Sequence, residues 1–262
     1  MNVTIGQYYP VKSLIHNIDP RVKLIGIIDF ICLLFFIDKH VPYIFATLIM
    51  YIIIKLSNVP FKLLLRGLRG ILFIIIFTFI LNLLFTSGST LLIHFGFIKI
   101  YLEGVLFAFI MSYRLVLIIM MSSILTLTTP PIKLTDAIEK MLNPFKKIKL
   151  PAHEIAMIMT IALRFIPVLV EEMQLIMKAQ KARGANFDEG NIITRVRNLI
   201  PILIPLFISA FRRADDLAMA MESRCYRGDN NRTRMKELKL NKFDVYTIAV
   251  IVLVTIIFVL IG

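Results

Sequence analysis

Apolar residues run almost unbroken through 22–37, 41–56, 70–87, 105–129 and 245–262, and polar residues gather at the ends of these runs rather than alternating within them. Such runs predict helices that are apolar on every side, as a bilayer-spanning segment must be, and a crossing takes about 20 residues. The first two runs are short of that and suit tilted or incomplete spans. A further apolar piece, 91–100, is interrupted by His94, Gly96 and Lys99. It is too short to cross and is expected to be a re-entrant or interfacial connection. The fold class that follows is an all-α membrane protein with about five transmembrane helices.

Residues 130–242 read differently, as apolar helix repeatedly punctuated by charge. Pro130-Pro131 stops the fourth run. Asp136, with Glu139 three residues later, suits the start of a short helix near 136–143 that ends before Pro144. Pro151 is placed to open a long helix over 151–183, with Gly184 as its left-handed cap. At about 1.5 Å per residue that helix is about 50 Å long. A second long helix is predicted over 195–226, closed by Gly228 and kinked in its first half by Pro201 and Pro205. The organisation is then a transmembrane region 1–129, a helical coupling subdomain 130–242 and a final transmembrane helix 243–262.

Charge orients this arrangement. Lys12, Arg21 and Lys23 precede or open the first run, and Lys55, Lys62, Arg66 and Arg69 lie between the second and third. The alternate connections hold only Lys39 and Lys99, whereas Lys133 to Lys242 contains twenty Lys and Arg. The positive-inside rule places the N-terminus and residues 130–242 in the cytoplasm and the C-terminus outside, with five crossings. The same rule accounts for the net charge of +13 (30 Lys and Arg against 17 Asp and Glu) without nucleic acid. With 58% hydrophobic residues and a mean hydropathy of +0.81, the chain is too apolar for a soluble domain. Its polar start is expected to stay in the mature protein rather than be cleaved as a signal peptide.

Candidate chemistry within the chain is sparse. Cys32 and Cys225 give no disulfide framework, and His16, His40, His94 and His153 are isolated, with His153-Glu154 lacking the second histidine of HExxH, so no metal site is expected. No GxxxxGK[ST] loop is present to cradle a phosphate, and no nucleophile with a base stands out, so the chain is read as neither an enzyme nor a holder of cofactor. Inside the predicted spans, Asp29 and Arg114 would each cost about 2.5–3.5 kcal/mol unpaired at a helix centre, which makes them a candidate intramembrane pair. Met157, Met159, Met173, Met177, Met219 and Met221 cluster on the long helices, as adaptable contact surface or as ordinary gap filling.

The two long helices look like a loose duplication. Each is apolar first, then carries an acidic pair, Glu171-Glu172 or Asp215-Asp216, then a basic end. The acidic pairs suit cations of neighbouring helices or of their own i+4 positions. The ends hold Ala182-Arg183-Gly184 and Ser223-Arg224-Cys225, each an arginine between small residues. Small flanks let a partner approach the backbone, and the guanidinium offers five donors in a rigid fork. An arginine at a helix C-terminus also favours the dipole with no partner at all.

KARGA and ESRCYRG on successive long helices resemble the paired arginine motifs of the transmembrane T subunit of energy-coupling factor transporters. HNIDPRVKL, TTPPIKLTDAIEKMLNPF, ALRFIPVLVEE and RADDLAMAMESRCYRG extend the likeness over nearly the whole chain. The resemblance implies a prokaryotic cell-membrane subunit. It would join two cytoplasmic ABC-type ATPases, which bind ATP and Mg, to one membrane-embedded S subunit that carries the micronutrient, a vitamin by expectation. It also implies that Arg183 and Arg224 insert into grooves on the ATPases, and it offers Asp29 or Arg114 a second role at the S-subunit interface. Residues 182–184 reproduce the family's Ala-Arg-Gly, while 223–225 keep only the arginine and the small flanks. The alternative is a self-sufficient secondary transporter or channel, which would show two comparable halves with broken spans; four spans, a long basic insert and one span do not fit it.

Overall fold

A computed structural model describes residues 8–36, 41–95, 98–142, 151–185, 187, 191–226 and 240–261. Among the described residues the helices are α1 Leu14–Asn17, α2 Pro20–Phe35, α3 Val41–Ser57, α4 Phe61–Phe85, α5 Leu102–Thr128, α6 Pro131–Leu142, α7 Ala152–Ala182, α8 Ile192–Ser223 and α9 Lys242–Ile261. The strands β1 Leu91–Phe95 and β2 Ile98–Tyr101 precede α5. The protein is an all-α membrane protein in class. Its chain divides into two units, one made of 6–137 with 237–262 and the other centred on 138–236.

Among the described residues three helices, α4, α5 and α9, are long and apolar enough to cross a membrane. At 16 and 17 residues, α2 and α3 span about 24–26 Å, against a hydrocarbon core of about 30 Å. The first unit is organised around α5, whose buried Leu117, Met120, Met121, Ile124 and Leu127 recur at the three- and four-residue spacing of one helix face. Phe30 and Leu34 of α2, Ala46 and Met50 of α3, Leu64 of α4 and Phe258 of α9 complete that core. The opposite faces of α4 and α9 expose Phe73, Phe77, Phe85, Val259 and Leu260, as helices with lipid for solvent do.

The 91–100 piece, expected as a re-entrant or interfacial connection, is built of two antiparallel strands. Its strands pair antiparallel, Leu91 opposite Tyr101 and Phe95 opposite Ile98, with an irregularity between Leu91 and Ile93. Pairing satisfies the backbone in a segment too short to cross. Glu103, in the first turn of α5, ties the preceding loop down by accepting from Ser89 Oγ at 2.6 Å and from the N–H groups of Ser89 and Thr90 at 3.2 Å.

The second unit holds the two long helices. α7 runs through Pro167, and α8 runs through Pro201 and Pro205, so the prolines do not break either helix. The short helix before them starts at Pro131 rather than near 136, because a proline at the first position costs no intrahelical bond, and Asp136 and Glu139 lie inside it.

Candidate functional site

Arg183 is the half-helical residue that ends α7, with φ −87° and ψ 8°. Gly184 follows at φ +88°. Its N–H donates to Lys181 O at 3.0 Å, and the Ala185 N–H reaches back to Gln180 O, also at 3.0 Å. This pair of bonds is a Schellman cap, which satisfies carbonyls that the helix end leaves open.

Arg224 ends α8 in the same way, with φ −91° and ψ 13°. Cys225 takes φ +56°, its N–H donates to Glu222 O at 2.8 Å, and the Tyr226 N–H donates to Met221 O at 3.0 Å. The second helix is therefore closed by Cys225 and not by Gly228, which lies outside the described residues. A left-handed conformation costs a non-glycine residue about 1–2 kcal/mol, so the end of α8 carries strain that the end of α7 avoids. Both arginines are exposed, as are Ala182, Gly184, Ser223 and Cys225. The Ser223 hydroxyl donates to Ala220 O at 3.1 Å and so stays within its own last turn.

The two helices run antiparallel. Tyr226 O–H donates to Met157 Sδ at 3.0 Å, while farther along α7 Glu172 Oε2 accepts from Arg213 at 3.1 Å. Positions thus rise along α7 as they fall along α8, and the arginines sit at opposite ends of the pair. Met157 marks the Arg224 end, and Arg183 lies 26 residues beyond it on α7. At 1.5 Å per residue the two arginines are on the order of 40 Å apart along the pair.

Of the acidic pairs, Glu172 meets a cation of the neighbouring helix, and Glu171, Asp215 and Asp216 are exposed. The Ser209 hydroxyl first, and the Arg213 charge and hydrogen bond against the opposing effect of burial, hold the Glu172 carboxyl below the usual 4.5. An open apolar groove of about 240 Å³ adjoins this ion pair, lined by Phe165 and Leu169 of α7 and by Ala210, Ala214 and Leu217 of α8.

Asp29 and Arg114, candidates for an intramembrane pair, each bond to another residue. Asp29 accepts from the Thr255 hydroxyl of α9 at 2.8 Å. Arg114 donates twice to the Tyr43 hydroxyl, at 2.9 and 2.7 Å, and lies over the Phe35 and Tyr43 rings at 5.7 and 5.9 Å. Phe35 is six residues beyond Asp29, about 9 Å along α2, so the two charges sit at different depths. Ring faces and a phenol offset the cost of the Arg114 charge, and a hydroxyl donor meets that of Asp29.

The residues that sequence reasoning missed lie where three helix ends meet. Asp19 caps α2 by accepting from Arg21 N–H at 2.9 Å, and its own N–H donates to Asp244 of α9 at 2.8 Å. Buried Lys23 donates to Thr128 O at 3.2 Å and Thr129 Oγ1 at 3.1 Å, closing the C-terminal end of α5. An Asp-Pro at a helix start is a legible capping signal. Nothing local shows that Lys23 and Asp244 are buried against distant chain ends.

Similarity to known proteins covers the same ground. The family model described as CbiQ, cobalt transport protein, matches residues 11–235. The energy-coupling factor transporter transmembrane protein EcfT of Ruminiclostridium cellulolyticum is 53% identical over 244 residues, 93% of this chain and 91% of its own length. Those of Lactococcus lactis subsp. cremoris and Bacillus subtilis are 46% and 45% identical, covering 99% and 90% of this chain and 97% and 89% of theirs. A match of this extent, on a chain whose two long helices end in the same arginine cap, places the protein in the CbiQ and EcfT family of energy-coupling factor transporter transmembrane components.

Proposed function

We propose that this subunit couples two ABC-type ATPases to a substrate-binding S subunit in the cell membrane, and that Arg183 and Arg224 are its two attachment points. The observation that carries the reading is the equivalence of the two ends: one cap geometry, one exposed guanidinium each, at opposite ends of an antiparallel pair. Two copies of one kind of partner need such a repeated feature, set far enough apart for two folded domains to sit side by side. The ATPases would supply the ATP and Mg sites, and this chain would pass their motion along α7 and α8 to the S subunit, which binds a micronutrient such as a vitamin. Exposed Ile158 and Leu175 of α7, with Ile193, Phe207 and Phe211 of α8, offer the apolar area that a membrane-embedded partner would cover. The basic 130–242 region and the N-terminus would face the cytoplasm, with five crossings in all.

Affinity purification of the tagged chain from its native membrane tests the reading. Two ABC-type ATPases should co-purify, and Arg183→Glu together with Arg224→Glu should release them while membrane insertion persists. Co-purification unaffected by the double substitution would overturn the assignment of the arginines.

A further inference from the structure

Glu172 lies eleven residues before Arg183, and Arg213 lies eleven residues before Arg224. The ion pair between α7 and α8 therefore joins corresponding positions of the two repeats, at an equal distance, about 16 Å of helix, from each arginine. Nothing in the local sequence requires this, because the repeat places an acid on one helix where it places a base on the other. We propose that the Glu172–Arg213 pair is a positioning element that sets the spacing of the two arginine ends.

The surroundings bear on how firmly the pair holds. Beside it the helices are separated by the open groove lined by Ala210, Ala214, Phe165 and Leu169, so small side chains leave the crossing loosely filled. Arg213 Nε is buried without a partner, which leaves its bond to Glu172 as the directional contact of that side chain. The Tyr226–Met157 contact lies at the Arg224 end of the pair, and the ion pair lies nearer the Arg183 end. Removing it frees the angle at which α7 leaves the crossing, and with it the position of Arg183 relative to Arg224.

This inference rests on the proposed attachment of two ATPases only for its consequence; the spacing itself can be read on the full chain alone. The chain with Cys32→Ala and Ala182→Cys is reconstituted in lipid nanodiscs, spin-labelled at residue 182 and at native Cys225, and the distance distribution is measured by dipolar electron paramagnetic resonance. A single narrow peak is expected. In Arg213→Ala, and in the near-isosteric Glu172→Gln, the population outside that peak should rise about three- to fivefold. The exchange of Glu172→Arg with Arg213→Glu should restore it. Binding of one ATPase copy should be unchanged in these variants, while the advantage of holding two together falls by a similar factor. A peak of parent width in both single variants, or an exchange that stays broad, overturns the proposal. Loss of ATPase binding with intact spacing would instead count against the attachment reading.

Discussion

The ends of α7 and α8 reach one geometry from two sequences. At the first, Ala-Arg-Gly supplies a glycine at φ +88°, with open space where a Cβ would stand. At the second, Ser-Arg-Cys forces a cysteine to φ +56° and still forms both cap bonds. The cap is therefore set by the unsatisfied carbonyls of the last turn, and the residue after the arginine decides only its cost. At both ends the arginine is the half-helical cap residue, whichever residue follows it.

The largest effect that could break the equivalence comes from charge. Arg183→Glu and Arg224→Glu should each weaken attachment of one ATPase by about 2–5 kcal/mol, and the double variant should abolish transport in a vesicle uptake assay. Equal losses at the two ends sharpen the comparison, and a silent Arg224→Glu breaks it. Next in size is the backbone term. Gly184→Ala should destabilise the end of α7 by about 1–2 kcal/mol, seen as faster amide hydrogen exchange over its last turn, because no neighbour obstructs the new Cβ and only the dihedral angle is penalised. Cys225→Gly should act in the opposite direction at α8, by about 0.5–1 kcal/mol, since glycine relieves the strain but gives up entropy. Slower exchange there with unchanged transport is the expected outcome. The smallest effect is that of pH. The carboxyl of Glu172 is depressed in the folded chain, so its contribution is complete above the usual value near 4.5 and is lost as pH falls through the depressed value. Solvent screens a partly exposed pair, so loosening of the α7–α8 contact below about pH 4.5 should be slight, and Glu172→Gln should remove its pH dependence.

Particular residues show how far the sequence could be read. The long helices were legible because Pro151 and Gly184 act on their own neighbours, and the Ala-Arg-Gly end was legible for the same reason. Cys225 was not: cysteine carries no left-handed preference, and Gly228 three residues later was the stronger signal. The 91–100 hairpin was hidden because a short apolar run gives no period by which to tell strand from helix. Asp29 and Arg114 stand out in the sequence as charges within apolar runs, but Thr255 and Tyr43, which bond them, lie on helices far away in the chain.

What the sequence by itself determined is local: roughly where the long helices lie, which are apolar enough for a bilayer, where basic residues collect, and which arginine closes the first of the two long helices. Those properties follow from neighbours within about one turn and from transfer energies that add residue by residue. The tertiary structure alone decided that α7 and α8 run antiparallel, that Glu172 meets Arg213, and that Lys23 and Asp244 tie three helix ends together. A long side chain can reach any partner that the crossing of two helices brings within about 3 Å, and that crossing is fixed by packing over many turns at once.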